Sequence, residues 1–179
     1  MNRIFGTILA VTLASAAPSA FGWDPDDAAE QDAKAQAAIA AFKEKDPSIQ
    51  RFFDAAAGYV VIPTVGKGGI GIGGARGKGV LYEGGAVTAN VTLTQLTIGF
   101  QWGGQAYSEF LFFEDAAALE NFKRGNFELG AQASAVAITA GASADANFVG
   151  GVAIFTQAKG GLMYEATVGG QKFKVKALK

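Results

Sequence analysis

The amino-acid sequence predicts an α+β protein: a strongly curved or closed antiparallel β-sheet, barrel-like, with N-terminal helices and one mid-chain helix packed against it. Three observations carry this expectation. Residues 23–54 are Ala-rich, lack Gly, and hold eight acids against four bases, a net charge of −4. Residues 55–179 hold ten bases against eight acids, net +2, and every Gly except Gly6 and Gly22. Gly-Gly pairs starting at 68, 73, 84, 103, 150, 160 and 169 punctuate β-type alternation in this second segment. Such pairs supply the positive φ angles that tight hairpin turns need.

Taken in order, residues 1–22 read as an export signal. Arg3 is a short positive region, Ile4 to Ala14 is apolar and uncharged, and Ala20-Phe21-Gly22 offers small residues for cleavage before Trp23, with Ala14-Ser15-Ala16 as an alternative site. This is the pattern of a secretory signal peptide, and the run is too short to span a ~30 Å bilayer core comfortably. No Cys lies near the cleavage site, so a Cys-anchored lipoprotein is excluded. Export without Cys suits a bacterial periplasm or cell envelope.

Residues 23–56 are the helical segment. Asp24 can cap a helix with Pro25 at its first position, acids crowd the first turn, and Lys43 and Lys45 sit near its end, as the helix dipole favours. Ala35, Ala38, Ile39 and Phe42 share one face at helical spacing. A second short helix over Pro47 to Ala56 would bury Ile49, Phe52 and Phe53.

Residues 57–179 are the Gly-rich β domain. The spacing suggests long antiparallel strands in a meander, with good hairpin turns at Gly84-Gly85, Gly103-Gly104 and Gly169-Gly170. One helix, Glu114 to Phe122, interrupts it and places Leu119 and Phe122 together. In Gly69-Ile70-Gly71-Ile72-Gly73 a period-two strand would show Gly on one face and Ile on the other, a device by which barrels turn corners. Phe127, Leu129, Ala131, Ala133, Ala135 and Ala137 would share a tapering interior face.

Composition removes many chemistries. The 179-residue chain has no Cys and no His. That excludes disulfides, thiol nucleophiles, Cys-ligated metals, imidazole bases and the commonest transition-metal ligand. No Ser sits in a G-x-S-x-G elbow; Gly141-Ala142-Ser143-Ala144-Asp145 lacks its last Gly. No catalytic grouping, metal site or cofactor is implied, and the protein reads as a non-enzyme. A formal net charge of −1 argues against a generic polyanion binder, so nucleic acid is not an expected partner. A transmembrane β-barrel fits the alternation and export, but a Lys-rich last strand and helical segments in the mature chain speak against it.

Two basic stretches remain as candidates. Gly66 to Gly79 holds eight Gly in fourteen residues with Lys67, Arg76 and Lys78, and no acid lies between Asp54 and Glu83. Gly69-x-Gly71-x-x-Gly74 formally matches a dinucleotide fingerprint, but more Gly and a hairpin follow where a helix is needed. Three cations on exposed backbone N–H groups make an anion site for a phosphate headgroup, or simply a solvated Gly-rich strand and turn. At the C-terminus, Lys172, Lys174 and Lys176 alternate with Phe173 and Val175. At strand spacing they form one basic face, which can meet anionic lipid or guard an edge strand against aggregation.

The stretches AGYVVIPTVGKGG (57–69), GIGGARGKGVLYEGG (71–85), LTIGFQWGGQAYSEFLFF (96–113) and AKGGLMYEATVGGQKF (158–173) resemble the SYLF domain family, over roughly residues 34–175, and look most like its bacterial exported branch. The resemblance implies a lipid-binding module. Its eukaryotic members bind phosphoinositides through an amphipathic N-terminal helix, and its yeast branch carries an actin-binding label. Here the matching helix is acidic and Ala-rich, and actin is an unlikely partner for an exported protein. The resemblance therefore implies binding of anionic phospholipid or a membrane surface, with Lys67, Arg76 and Lys78 as headgroup contacts and Lys172, Lys174 and Lys176 as a secondary membrane-facing strand. The competing expectations are an envelope scaffold or protein-interaction module, and a carboxylate- or Ser-based hydrolase.

Overall fold

The structure is a computed structural model describing residues 25–178 apart from 71, 99–104, 126, 131–132 and 161–165. The expected leader over 1–22, the Asp24 cap and the turn at Gly103-Gly104 lie outside the described residues.

The N-terminal helices form as their sequence demands. Helix α1 spans Pro25–Lys45, a 3₁₀ turn covers Pro47–Ile49, and α2 covers Gln50–Ala55. The face of α1 made by Ala35, Ala38, Ile39 and Phe42 is buried, as are Ile49 and Phe52, while Phe53 is half-buried. Asp46 caps the 3₁₀ turn by accepting from the Ser48 amide at 3.1 Å and from the Ser48 hydroxyl. Its other oxygen accepts from the Ser143 amide at 2.7 Å, so the same carboxylate ties the helices to the loop near 143. Burial alone would raise the Asp46 pKa, but these hydrogen bonds outweigh it and hold the carboxyl below its ordinary value.

Nine strands follow: β1 (Gly58–Ile70), β2 (Ile72–Glu83), β3 (Ala86–Ile98), β4 (Gln105–Phe113), β5 (Phe127–Glu128), β6 (Ser134–Ala137), β7 (Val152–Ala158), β8 (Ala166–Thr167) and β9 (Gln171–Ala177). Helix α3 (Ala116–Lys123), capped by Asp115, sits between β4 and β5. The spatial order is β5-β9-β3-β2-β1-β4-β7-β6-β8. Only β1 to β3 are a meander. Strand β4 returns to the far side of β1, and β6 runs parallel to β7. A simple meander is thereby corrected: β3 and β4 lie on opposite sides of the β1–β2 hairpin.

Three other local expectations are revised. Residues 69–73 are a hairpin junction, not the interior of one strand, with Gly69 opposite Gly73 and Ile70 opposite Ile72. Residues 127–138 are two strands, β5 and β6, separated by a turn in which the Ala133 amide donates to the Gly130 carbonyl. Gly169-Gly170 is a tight turn, with Gly170 at φ +76°, but β8 and β9 on either side of it are not paired. Gly84-Gly85 is a true hairpin turn, with φ of +58° and +84°, the positive-φ pair that a two-residue turn joining paired strands requires.

Those short connections establish the curvature. Strands β5 and β6 stand first and eighth in the order, yet few residues join them; β9 and β8 stand second and ninth, and a tight turn joins them. A chain segment spans at most ~3.5 Å per residue, so the two sides of the sheet must approach each other. Direct side-chain contact agrees: Gln171 of β9 donates to Glu109 of β4 at 2.9 Å, across the width of β3, β2 and β1. The sheet is a half-barrel. Strand β1 carries a bulge between Val61 and Thr64, spanning buried Pro63. Proline has no N–H for the ladder, and its carbonyl accepts instead from the Ser108 hydroxyl at 2.8 Å. Opposite the bulge stands Gly79, where a Cβ would lie 2.1 Å from the Val61 oxygen. Only glycine fits that approach.

The half-barrel has two faces and two cores. The inner core contains Val60, Ile62, Leu81, Leu93, Leu111 and Phe113, closed by Leu119 and Phe122 of α3. The outer core contains Val61, Val80, Tyr82, Phe110, Phe112 and Phe155, covered by α1 and α2. Phe42 stacks on Phe110 at 4.0 Å between ring centroids, and Tyr82 donates to Asp32 at 2.5 Å. Among the described residues no helix is long and apolar enough to cross a membrane.

A candidate basic surface on the outer face

Strand alternation decides where the candidate cations point. On β2, Tyr82 and Val80 belong to the outer core, so Lys78 and Arg76, two and four residues further on, continue that face into solvent. On β9, Phe173 belongs to the inner core, so Lys172, Lys174 and Lys176 face outward, and all three are exposed.

Strand β3 lies between these two strands and joins them into one surface. Arg76 stands opposite Thr94, which stands opposite Lys172. The next row is Lys78, Thr92 and Lys174, and the third is Val80, Asn90 and Lys176. With neighbouring strands ~4.8 Å apart and alternate residues ~6.8 Å apart, the backbone sites of the five cations fit within roughly 10 by 14 Å. Two stretches separated by almost a hundred residues of sequence therefore form one array of cations with threonine hydroxyls between them. The second row extends to Thr64 on β1, whose hydroxyl accepts from Lys159 at 2.8 Å. Glu128 is the acid that touches the array, 3.5 Å from Lys172, in an exposed pair that contributes little. A pocket of about 270 Å³ is lined by Thr94, Glu128, Lys172, Phe173 and Lys174.

Lys67 does not share this surface. It stands opposite Ala75, an inner-core residue, and so points to the other face, where burial lowers its pKa. Arg76 stands opposite Gly66, beside which a side chain would meet only open space. The Gly-rich strand thus leaves the guanidinium unobstructed. Lys159 and the threonines of β3 escaped the sequence reading. The alternation Thr88, Asn90, Thr92, Thr94 is its visible signal, but only strand order places it between two basic strands.

The inner face carries a different polar group. Glu109 is fully buried, surrounded by Gln171, Tyr107 and, opposite it on β7, Thr156. Burial pushes its carboxyl up to about 8, against the lowering effect of the Gln171 hydrogen bond. Among the described residues Glu109 Oε1, Gln171 Oε1 and Thr156 Oγ1 have no hydrogen-bond partner. Tyr107, Ser108 and Glu109 alternate across β4 and do not converge. Ser108 belongs to the outer side, bonded to Pro63.

Helices α1 and α2 cover part of the outer face of the half-barrel, and the exposed cationic array stands on that same face. Among the described residues no group of three or more acids could hold a metal ion. Outward cations and hydroxyls also reverse the arrangement of a membrane-spanning barrel, whose outer band is apolar. Residues 94–177 match the family model described as Ysc84, Las17-binding protein actin regulator. That stretch, a little under half of the chain, is similar to a SYLF (Ysc84) domain; it contains Lys172, Lys174 and Lys176 but not Lys67, Arg76, Lys78 or α1. No curated protein matches the chain.

Proposed function

We propose that the protein is a non-enzymatic module that binds anionic phospholipid at a membrane surface, using Arg76 and Lys78 with Lys172, Lys174 and Lys176 as its contact face. One observation carries this reading: β3 brings two basic stretches, distant in sequence, into adjoining rows on one exposed face. Near an anionic bilayer each such cation contributes about 1 kcal/mol, so five acting together give useful binding at low salt that screening removes. Lys67 enters as a lesser contact, reached from the end of the β1–β2 hairpin.

An export-type sequence over residues 1–22 supports a bacterial envelope location for this activity, with residues 23–56 as a helical segment and 57–179 as the β domain that bears the contact face. The matched family's description names Las17 and actin; an exported chain favours lipid over both.

Co-sedimentation with phosphatidylglycerol vesicles tests the reading. Replacing all five cations by Gln should abolish binding while leaving the fold intact. Unchanged binding by that variant would overturn the site.

A further inference from the structure

We infer that Glu109 and Gln171 form a carboxylic-acid latch that ties the basic strand β9 across the half-barrel to β4 and loosens when Glu109 ionises. The inference begins from topology. β9 is held by β3 along its length but by β5 only at Phe127 and Glu128. Its Phe173 ring contacts the inner core, and Gln171 donates to Glu109 at 2.9 Å from the far side of the barrel. That bond joins strands not adjacent in the sheet.

The surroundings decide which form of the acid is held. Glu109 is completely buried. On the inner face beside it stand Tyr107 on its own strand, Ile62 opposite it on β1 and Thr156 opposite it on β7, and Gln171 reaches it from β9. The apolar core on this face includes Val65, Ala75 and Leu111, with Leu119 and Phe122 of α3. The charged residues of α3 turn elsewhere: Lys123 pairs with Glu120 and Glu83. Lys67 faces inward on β1, but it stands opposite Gln105, four residues along β4 from Glu109. No cation therefore contacts the carboxyl among the described residues. A neutral acid satisfies one oxygen with Gln171; a carboxylate there would be an uncompensated buried charge. Tyr107 stays neutral, its ionisation pushed up by burial and then by Glu109, and so supplies no positive charge. The cheapest escape from a buried carboxylate is for β9 to move and admit water. Because β9 carries Lys172, Lys174 and Lys176, loosening it would disperse the basic array; this coupling rests on the proposed lipid reading.

Backbone hydrogen exchange on the full chain, with β9 opening measured relative to the β1–β2 hairpin, tests the latch apart from lipid. For a group that titrates at ~4.5 when open and at about 8 when closed, the relative opening constant of β9 rises by up to about tenfold per pH unit between those values and then levels. Glu109→Gln keeps the shape, cannot ionise, and should remove that rise. A wild-type ratio independent of pH, or a Glu109→Gln ratio that rises as in the wild type, would overturn the latch. Carboxyl resonance titration of the wild type needs no variant: a Glu109 midpoint near 8 supports the latch, and one below 5 overturns it. Phosphatidylglycerol vesicle binding across the same pH range separates the two proposals. Failure to bind at any pH would sink the lipid reading, while the exchange result still decides the latch.

Discussion

The outer and inner faces of the half-barrel treat charge in opposite ways. Outside, Arg76, Lys78, Lys172, Lys174 and Lys176 stand in solvent with hydroxyl neighbours. Their attraction is open to any anionic surface. Inside, Glu109 is sealed among apolar strands with one glutamine donor, and neutrality is the cheaper state. The same alternation produces both, because successive side chains of one strand face opposite ways. The difference teaches that an ionisable residue's role here follows from the face it falls on, which strand parity sets, and from the strands beside it, which only the full sheet order sets.

The largest expected effect breaks the outer half of that comparison. Replacing Arg76 and Lys78 by Gln, or Lys172, Lys174 and Lys176 by Gln, should each lower vesicle affinity by more than tenfold, at about 1 kcal/mol per cation lost. If one set alone matters, the two strands do not act as one surface.

Next in size are changes to the frame that curves the sheet and covers its outer core. Phe42→Ala removes a buried ring stacked on Phe110 and should cost ~3–5 kcal/mol in chemical denaturation. Gly79→Ala drives a methyl into the Val61 carbonyl and should cost ~1–3 kcal/mol or more. Gly66→Ala meets open space and should stay within about 0.5 kcal/mol of neutral for packing. Equal losses at Gly79 and Gly66 would contradict the close approach at the bulge.

The inner half of the comparison is sharpened by pH. Glu109 holds its proton in the folded state up to about 8, against an ordinary 4.5. Its contribution to stability is therefore complete below 4.5 and is lost as pH rises from 4.5 to 8. Asp46 has the opposite sign: its lowered pKa gives stability that is present above 3.8 and lost as pH falls through the folded value. Denaturation midpoints measured across pH should lose the alkaline decline in Glu109→Gln and keep the acid one. The smallest expected effect is at Lys67, whose side chain faces inward. Lys67→Gln should change vesicle affinity less than Arg76→Gln does.

Much of the architecture was legible in the chain. The apolar face of α1, the pair Leu119 and Phe122 and the Gly84-Gly85 turn follow from local pattern and are present; the strong curvature is present too, but not through the 69–73 and 127–137 features that suggested it. What local pattern could not give is strand order. Nothing near residue 172 says that β9 will lie beside β3, or that the two halves of 127–138 will part to opposite ends of the sheet. The joined basic surface depends on that order, so its halves were visible as separate candidates and their union was not. Lys67 was grouped with Arg76 and Lys78 by proximity in sequence; hairpin register sends it to the other face. Glu109 had a visible sign, an acid leading into Phe110-Leu111-Phe112-Phe113, but its burial needed β9 folded across from the far edge.

Co-sedimentation of the wild-type protein with phosphatidylglycerol vesicles at low and high salt, beside neutral vesicles, tests the central claim most directly. The account expects binding to anionic vesicles at low salt, loss of that binding at high salt, and none to neutral vesicles. No binding to anionic vesicles at low salt, or equal binding to both kinds at every salt concentration, would contradict it.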